Sequence, residues 1–249
     1  MSREMQIIQK QIMLVALVFV IGELKEVFAF VNCTGYIDFD KIMQSNDHVY
    51  IDSVLEDCFS ANSYNIKQLP LEDYSRFHRL TMQYRFALNS LLKLESSGSL
   101  TILANLGFYW IDENRLWDKS AIKMPKTSVA VSYDSIWTPN FGLAQCESDP
   151  CLIIPDGGSD ISQQASGLTS LNMIQILHSV CQMDLFKFPF DIQTCKLSFW
   201  MMHFTTWQVE MQQVNETLEF FDFFHDEWSL VSIKDYAKNF SAKVRFIYF

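Results

Sequence analysis

The 249-residue sequence contains no run of eighteen apolar residues, so no segment of it reads as a membrane-spanning helix. Its five histidines, at positions 48, 78, 178, 203 and 225, are scattered without the spacing that gathers ligands around a metal. It has no G-x-S-x-G nucleophile turn and no Gly-rich phosphate loop. These absences argue against an enzyme and leave no cofactor or metal to be expected. Positive charge is also scarce, with 19 Lys and Arg against 29 Asp and Glu and a formal net charge of −10. A nucleic-acid binder needs a basic surface to neutralise phosphates, so no nucleic-acid partner is expected.

Half of the chain (49%) is hydrophobic and 14% is aromatic, enough for a sizeable core. The length fits one all-β domain. Residues 1–29 read as a secretory signal. Arg3 and Lys10 precede the apolar run Ile12 to Ile21, and cleavage would follow Gly22 or Ala29. The competing reading is an uncleaved anchor. Export gives the six cysteines (Cys33, Cys58, Cys146, Cys151, Cys181, Cys195) an oxidising environment. Six cysteines allow about fifteen pairings, and the pattern does not choose among them; nearest-neighbour pairing would join 33 to 58, 146 to 151 and 181 to 195. Sequons at Asn32, Asn215 and Asn239 fit the same compartment.

A short helix is predicted over Asp47–Cys58, with Val49, Ile51, Val54 and Leu55 near one face. The next stretch alternates with period two. Leu80, Met82, Tyr84, Phe86, Leu88, Leu92 and Leu94 occupy one face of a strand. After the turn Glu95-Ser96-Ser97-Gly98, Leu100, Ile102, Ala104, Leu106, Phe108 and Trp110 repeat the parity. The pair reads as a hairpin. Further strands are predicted near Ser128–Tyr133, Leu168–Val180, Thr194–Phe204, Trp228–Ile233 and Lys243–Phe249, separated by turn residues. The predicted fold is all-β, a twisted immunoglobulin-like sandwich of about ten strands with a short N-terminal helix.

The segment Cys181-Gln-Met-Asp-Leu-Phe-Lys-Phe-Pro-Phe-Asp-Ile-Gln-Thr-Cys195 is the most informative in the chain. Both cysteines, apolar Met183 and Leu185, the Phe188-Pro189-Phe190-Asp191 core and the spacing resemble the signature loop of the Cys-loop receptors, the pentameric ligand-gated ion channels. Other segments resemble the family in the same order: Trp110-x-Asp112-x4-Trp117, Trp137-Thr138-Pro139-Asn140 (with Asn140 where the family has Asp), Glu227-Trp228, and the closing Lys243–Phe249. The resemblance covers about residues 45–249, and it points to the nicotinic-like branch. It implies a Cys181–Cys195 bridge, and closing a loop of that length contributes roughly 3 kcal/mol. It also implies that the loop at Phe188, Pro189, Phe190 and Asp191 couples the domain to a transmembrane domain C-terminal to this sequence. If Met183, Leu185, Phe186, Phe188 and Phe190 do not join their own core, something else must cover them.

In this family agonists sit between subunits in an aromatic box, where a cationic amine gains roughly 0.5–2 kcal/mol per ring. Carried over by position, the box here would draw on Ala144, on Met202 with its neighbours Trp200 and Phe204, and on Tyr236 and Phe240 in the capping loop. From the adjoining subunit it would draw on Asn105. Ala144, Met202 and Asn105 depart from the family's aromatics, which argues against a standard acetylcholine site formed by this chain alone. Ordinary sandwich packing accounts equally well for Trp200, Tyr236 and Phe240. The resemblance implies an extracellular domain at the plasma membrane, partnered by homologous subunits in a homo- or hetero-pentamer and by a small-molecule agonist such as an amine neurotransmitter. The alternatives are a soluble, secreted ligand-binding pentamer of the acetylcholine-binding-protein kind and a secreted immunoglobulin-like adhesion domain.

Overall fold

The computed structural model describes residues 33, 48–71, 78–118, 128–147, 152–153, 160–188, 190–205, 207–214, 225, 227–239 and 242–248; for 48–51, 234–239 and 242–248 it describes the backbone alone. The segment 1–29, assigned above to a signal, lies outside these residues, as do Asn32, Cys151, Pro189, Asn215 and Phe240.

One helix, α1 (His48–Ala61), precedes the strands. Val54, Leu55, Cys58 and Phe59 lie on its buried face. It runs three residues past the predicted end because its last turn is capped by hydrogen bonds. Tyr64 N–H donates to Phe59 O at 3.3 Å and Ser63 N–H to Ser60 O at 3.2 Å. Ser63 takes φ 64°, which completes a Schellman cap. Cys58 is bonded to Cys33, anchoring the helix from upstream.

The hairpin forms as the alternation predicts. Strand β1 (Leu80–Leu94) pairs antiparallel with β2 (Ser99–Ile111). In β2 all six predicted inward residues are buried. In β1 the parity breaks. Register irregularities fall between Leu88 and Ser90 and between Leu91 and Lys93. Leu91, not Leu92, therefore faces the core: the two are 3% and 47% exposed. A bulge adds one residue to one strand and reverses which parity points inward.

Strands β3 (Ser128–Ala130), β6 (Asp160–Gln164), β7 (Leu168–Val180) and β9 (Val209–Gln213) complete a six-stranded sheet in the order β3-β6-β7-β2-β1-β9. Here β9 lies parallel to β1, and β7 matches its predicted limits. The second sheet, of five strands, runs β10-β11-β8-β4-β5. Its members are β4 (Phe141–Leu143), β5 (Leu152–Ile153), β8 (Thr194–Met201), β10 (Ser232–Asn239) and β11 (Ala242–Tyr248). Strand β8 stops three residues short of prediction, and His203 just beyond it takes φ 69°, outside strand geometry. Residues 228–231 are not in a strand either; β10 begins at Ser232.

The core lies between the two sheets, and ring contacts cross it. Phe108 of β2 stacks on Phe141 of β4 at 4.1 Å, and Phe86 of β1 meets Phe199 of β8 at 5.7 Å.

Candidate functional site

The disulfide loop starts where β7 ends and finishes on β8, so its two ends belong to different sheets. Cys181 and Cys195 are both buried and bonded to each other. The bridge thus fastens one sheet to the other rather than joining neighbouring strands of one sheet. The start of the loop also rests on the β1–β2 turn. Cys181 N–H donates to Gly98 O at 2.7 Å. Gly98 takes φ +93°, and a Cβ there would lie 2.4 Å from Cys181 O.

Inside the loop Gln193 is buried and holds the two arms together. Its Oε1 accepts the Asp184 N–H at 2.9 Å. Its Nε2 donates to Asp184 O at 2.8 Å and to the Asp191 carboxylate. Turn bonds from Phe188 N–H to Leu185 O and from Phe190 N–H to Lys187 O shape the tip. Met183 packs partly against the core. The rest of the apolar set does not: Phe186, Phe188 and Phe190 are 90%, 75% and 88% exposed. Leu185 and Ile192 are exposed beside them. Burying each such ring would contribute about 1.5–3 kcal/mol, and the loop leaves this apolar tip in water.

The residues assigned by resemblance to the ligand box divide between the sheets. Ala144 lies just past β4, exposed, its N–H donated to Ser198 O at 2.9 Å. Met202 is half-buried, its N–H bonded to Asn140 O at 2.9 Å. Trp200 of β8 lies across Gly142 of β4, where an added Cβ would come within 2.8 Å of the indole Nε1. Its other backbone neighbour is Ala242, at the β10–β11 turn. Tyr236 sits in β10 opposite Val244. One end of the five-stranded sheet thus gathers Ala144, Trp200, Met202 and the turn of the β10–β11 hairpin. Phe204 turns inward, 5.9 Å from the Trp137 ring, whose edge meets Trp110 at 5.6 Å. Asn105 is in the other sheet, on β2 between Ala87 and Ile174, and its buried Oδ1 has no hydrogen-bond partner among the described residues. Cys146 is disulfide-bonded, with its partner outside the described residues. Asn239 ends β10 opposite Ala242.

A polar cluster behind this region was not singled out from the sequence, although the Trp110-x-Asp112-x4-Trp117 motif encloses part of it. Arg115 is 1% exposed. It donates to the Glu56 carboxylate at 2.8 Å, to Gln163 Oε1 at 2.9 Å and to Ser135 O at 3.1 Å. Its guanidinium lies over the Phe59 ring at 4.2 Å and the Tyr64 ring at 5.0 Å. Tyr64 donates its hydroxyl to Asp112 at 2.6 Å and accepts the Trp137 N–H at 2.9 Å. Burial, more than Asp112 beside it, pushes the Tyr64 hydroxyl well above its ordinary range. Burial also raises Asp112 to about 6, against the opposing influence of the Tyr64 hydrogen bond and the Arg115 charge. The cluster ties α1 and the loop after β2 to the turn carrying Trp137–Asn140, and so fixes where β4 and Ala144 begin. An arginine flanked by two core tryptophans was the available sequence signal.

Two curled sheets joined by a disulfide loop make up the sandwich. Residues 51–246 match the family model described as the neurotransmitter-gated ion-channel ligand binding domain, and the chain belongs to that family. It is 26% identical over 193 residues to the bovine neuronal acetylcholine receptor subunit alpha-5, covering 73% of this chain and 37% of that protein. It is 25% identical over 153 residues to the acetylcholine receptor subunit alpha-type acr-15 of Caenorhabditis elegans, covering 60% of this chain and 30% of the relative. To the mouse 5-hydroxytryptamine receptor 3A it is 26% identical over 116 residues, 44% of this chain and 21% of the receptor. The matched part therefore spans between 21% and 37% of the length of these relatives. The family is one of ligand-gated channels and not of enzymes. Among the described residues no helix is long and apolar enough to cross a membrane.

Proposed function

We propose that residues 30–249 form the extracellular ligand-binding domain of a pentameric neurotransmitter-gated channel subunit, that residues 1–29 direct its export, and that the domain sits on the outer face of the plasma membrane. The observation that carries this reading is the disulfide loop, whose arms Gln193 ties together and which exposes Phe186, Phe188 and Phe190. An apolar tip of that kind needs a partner surface, and a transmembrane domain C-terminal to Phe249 would supply it. Ligand binding between subunits would bias the domain toward one arrangement, and the loop would pass that bias to the pore. The shift is limited to the ligand's differential affinity for the two arrangements. Ala144, Trp200, Met202, Phe204, Tyr236 and Phe240 would form one face of the ligand site and Asn105 the face offered to the next subunit. With Ala144, Met202 and Asn105 non-aromatic, each ring lost removes roughly 0.5–2 kcal/mol from a cationic agonist. That favours a hetero-pentamer in which another subunit supplies the principal aromatics.

The test is expression of the full-length transcript in voltage-clamped cells, alone and with nicotinic subunits, against a panel of amine and amino-acid transmitters. Ligand-gated current is expected. Replacing Phe188 and Phe190 with Ser is expected to cut the maximal current while leaving ligand affinity within about threefold. A stop codon directly after position 249, or surface-expressed subunits that neither conduct nor alter a partner's response, would sink the channel reading. A soluble pentamer binding the same ligands would take its place.

A further inference from the structure

A second feature lies at the other end of β8 from the ligand box. An open groove of about 530 Å³ lies between the disulfide loop and residues 227–231, with Phe188, Ile192 and Val231 exposed along it. That size falls within the range of small-molecule sites. One wall consists of Phe188, Asp191 and Ile192, and the opposite wall includes Glu227, Trp228 and Val231. The described lining residues are two rings, two aliphatic side chains, two carboxylates and the Ser229 hydroxyl, with no Lys, Arg or His among them.

Both walls are preformed. Gln193 grips the loop arm through Asp184 and Asp191. On the other side, His225 Nδ1 accepts the N–H groups of Glu227 and Trp228, each at 3.2 Å. Trp228 and Leu230 pack partly against the core. A pocket whose walls are held before the ligand arrives loses little to ordering on binding.

We infer that this groove binds a small hydrophobic organic cation, with the ammonium group between Asp191 and Glu227 and its apolar part against Phe188 and Trp228. The inference rests on the groove itself; under the channel reading Phe188 would both line this groove and belong to the tip that meets the transmembrane domain. Aromatic faces attract a cation through their quadrupoles. The two carboxylates add charge complementarity that a neutral or anionic ligand would not use. The site is separate from the ligand box: Cys195 and Trp200 mark the two regions, five residues and about 17 Å apart along β8.

Calorimetric titration of the 249-residue chain with phenyltrimethylammonium, and in parallel with its neutral isostere tert-butylbenzene, tests this. The cation is expected to bind and the isostere to bind at least about tenfold more weakly. Trp228→Leu is expected to weaken the cation about threefold to thirtyfold, and Glu227→Gln about threefold. Glu227 is exposed, so its Gln variant should keep the wild-type melting temperature. Trp200→Ala, at the distant ligand box, is expected to leave the affinity within about twofold. The proposal fails if the cation does not bind, if both probes bind alike, if Glu227→Gln matches wild type, or if Trp200→Ala abolishes binding.

Discussion

Asp112 illustrates how much one buried carboxyl can impose. Burial holds it near 6 in the folded chain, against 3.8 ordinarily. Between those values the folded state keeps a proton that the unfolded state has lost. The stability this contributes is therefore full below about pH 4 and is lost as the pH rises through about 6, by roughly 2–3 kcal/mol. Comparing wild type with Asp112→Asn by urea unfolding at pH 4.5 and 7.5 checks the sign: the wild type should lose stability relative to the variant on going to the higher pH. Gly98 gives a second test at this scale. With φ +93° and Cys181 O only 2.4 Å from where a Cβ would sit, Gly98→Ala is expected to cost at least about 1–2 kcal/mol. The measurement is the denaturant midpoint with the disulfide intact.

Among the elements, β1 is where simple alternation misleads. Strict period two assigns Leu92 to the core, whereas the structure buries Leu91. Leu91→Ala is expected to cost about 2–5 kcal/mol, and Leu92→Ala no more than about 0.5. Equal losses in thermal or urea unfolding would contradict the two register shifts. The same scale explains the short strands that prediction passed over. β4 and β5 have three and two residues, too few to show a period. β4 forms because β8 offers Phe141 and Gly142 a paired edge and Phe108 a ring for Phe141 to stack on, and β5 in turn pairs with β4. The helix was legible from its apolar face, but not its end, which a left-handed Ser63 sets.

Across the whole molecule, the exposed phenylalanines of the disulfide loop decide behaviour in solution. Phe186→Ser with Phe190→Ser is expected to leave unfolding within about 0.5 kcal/mol of wild type, since both rings already lie in water. The isolated domain should bind less of a hydrophobic dye and associate less in sedimentation. If the substitutions instead destabilise the fold markedly, the tip belongs to the domain's own core and not to a partner surface. On β7, Ile174 and Ile176 are likewise exposed on the outward face of the six-stranded sheet.

The sequence by itself determined the family and the larger elements. Fifteen residues from Cys181 to Cys195 carry a pattern dense enough to identify, and β1, β2 and β7 are long enough for period two to emerge. Only the tertiary structure decided that the bridge links two sheets, that Phe204 turns toward Trp137 while Trp200 lies over Gly142, and that Arg115 pairs with Glu56 across 59 positions. The reason is physical. Periodicity and spacing record how a residue relates to its near neighbours in the chain. Burial of a charge, the lining of a groove and the choice between two adjacent leucines depend on atoms brought together from distant segments, whose positions no local pattern encodes.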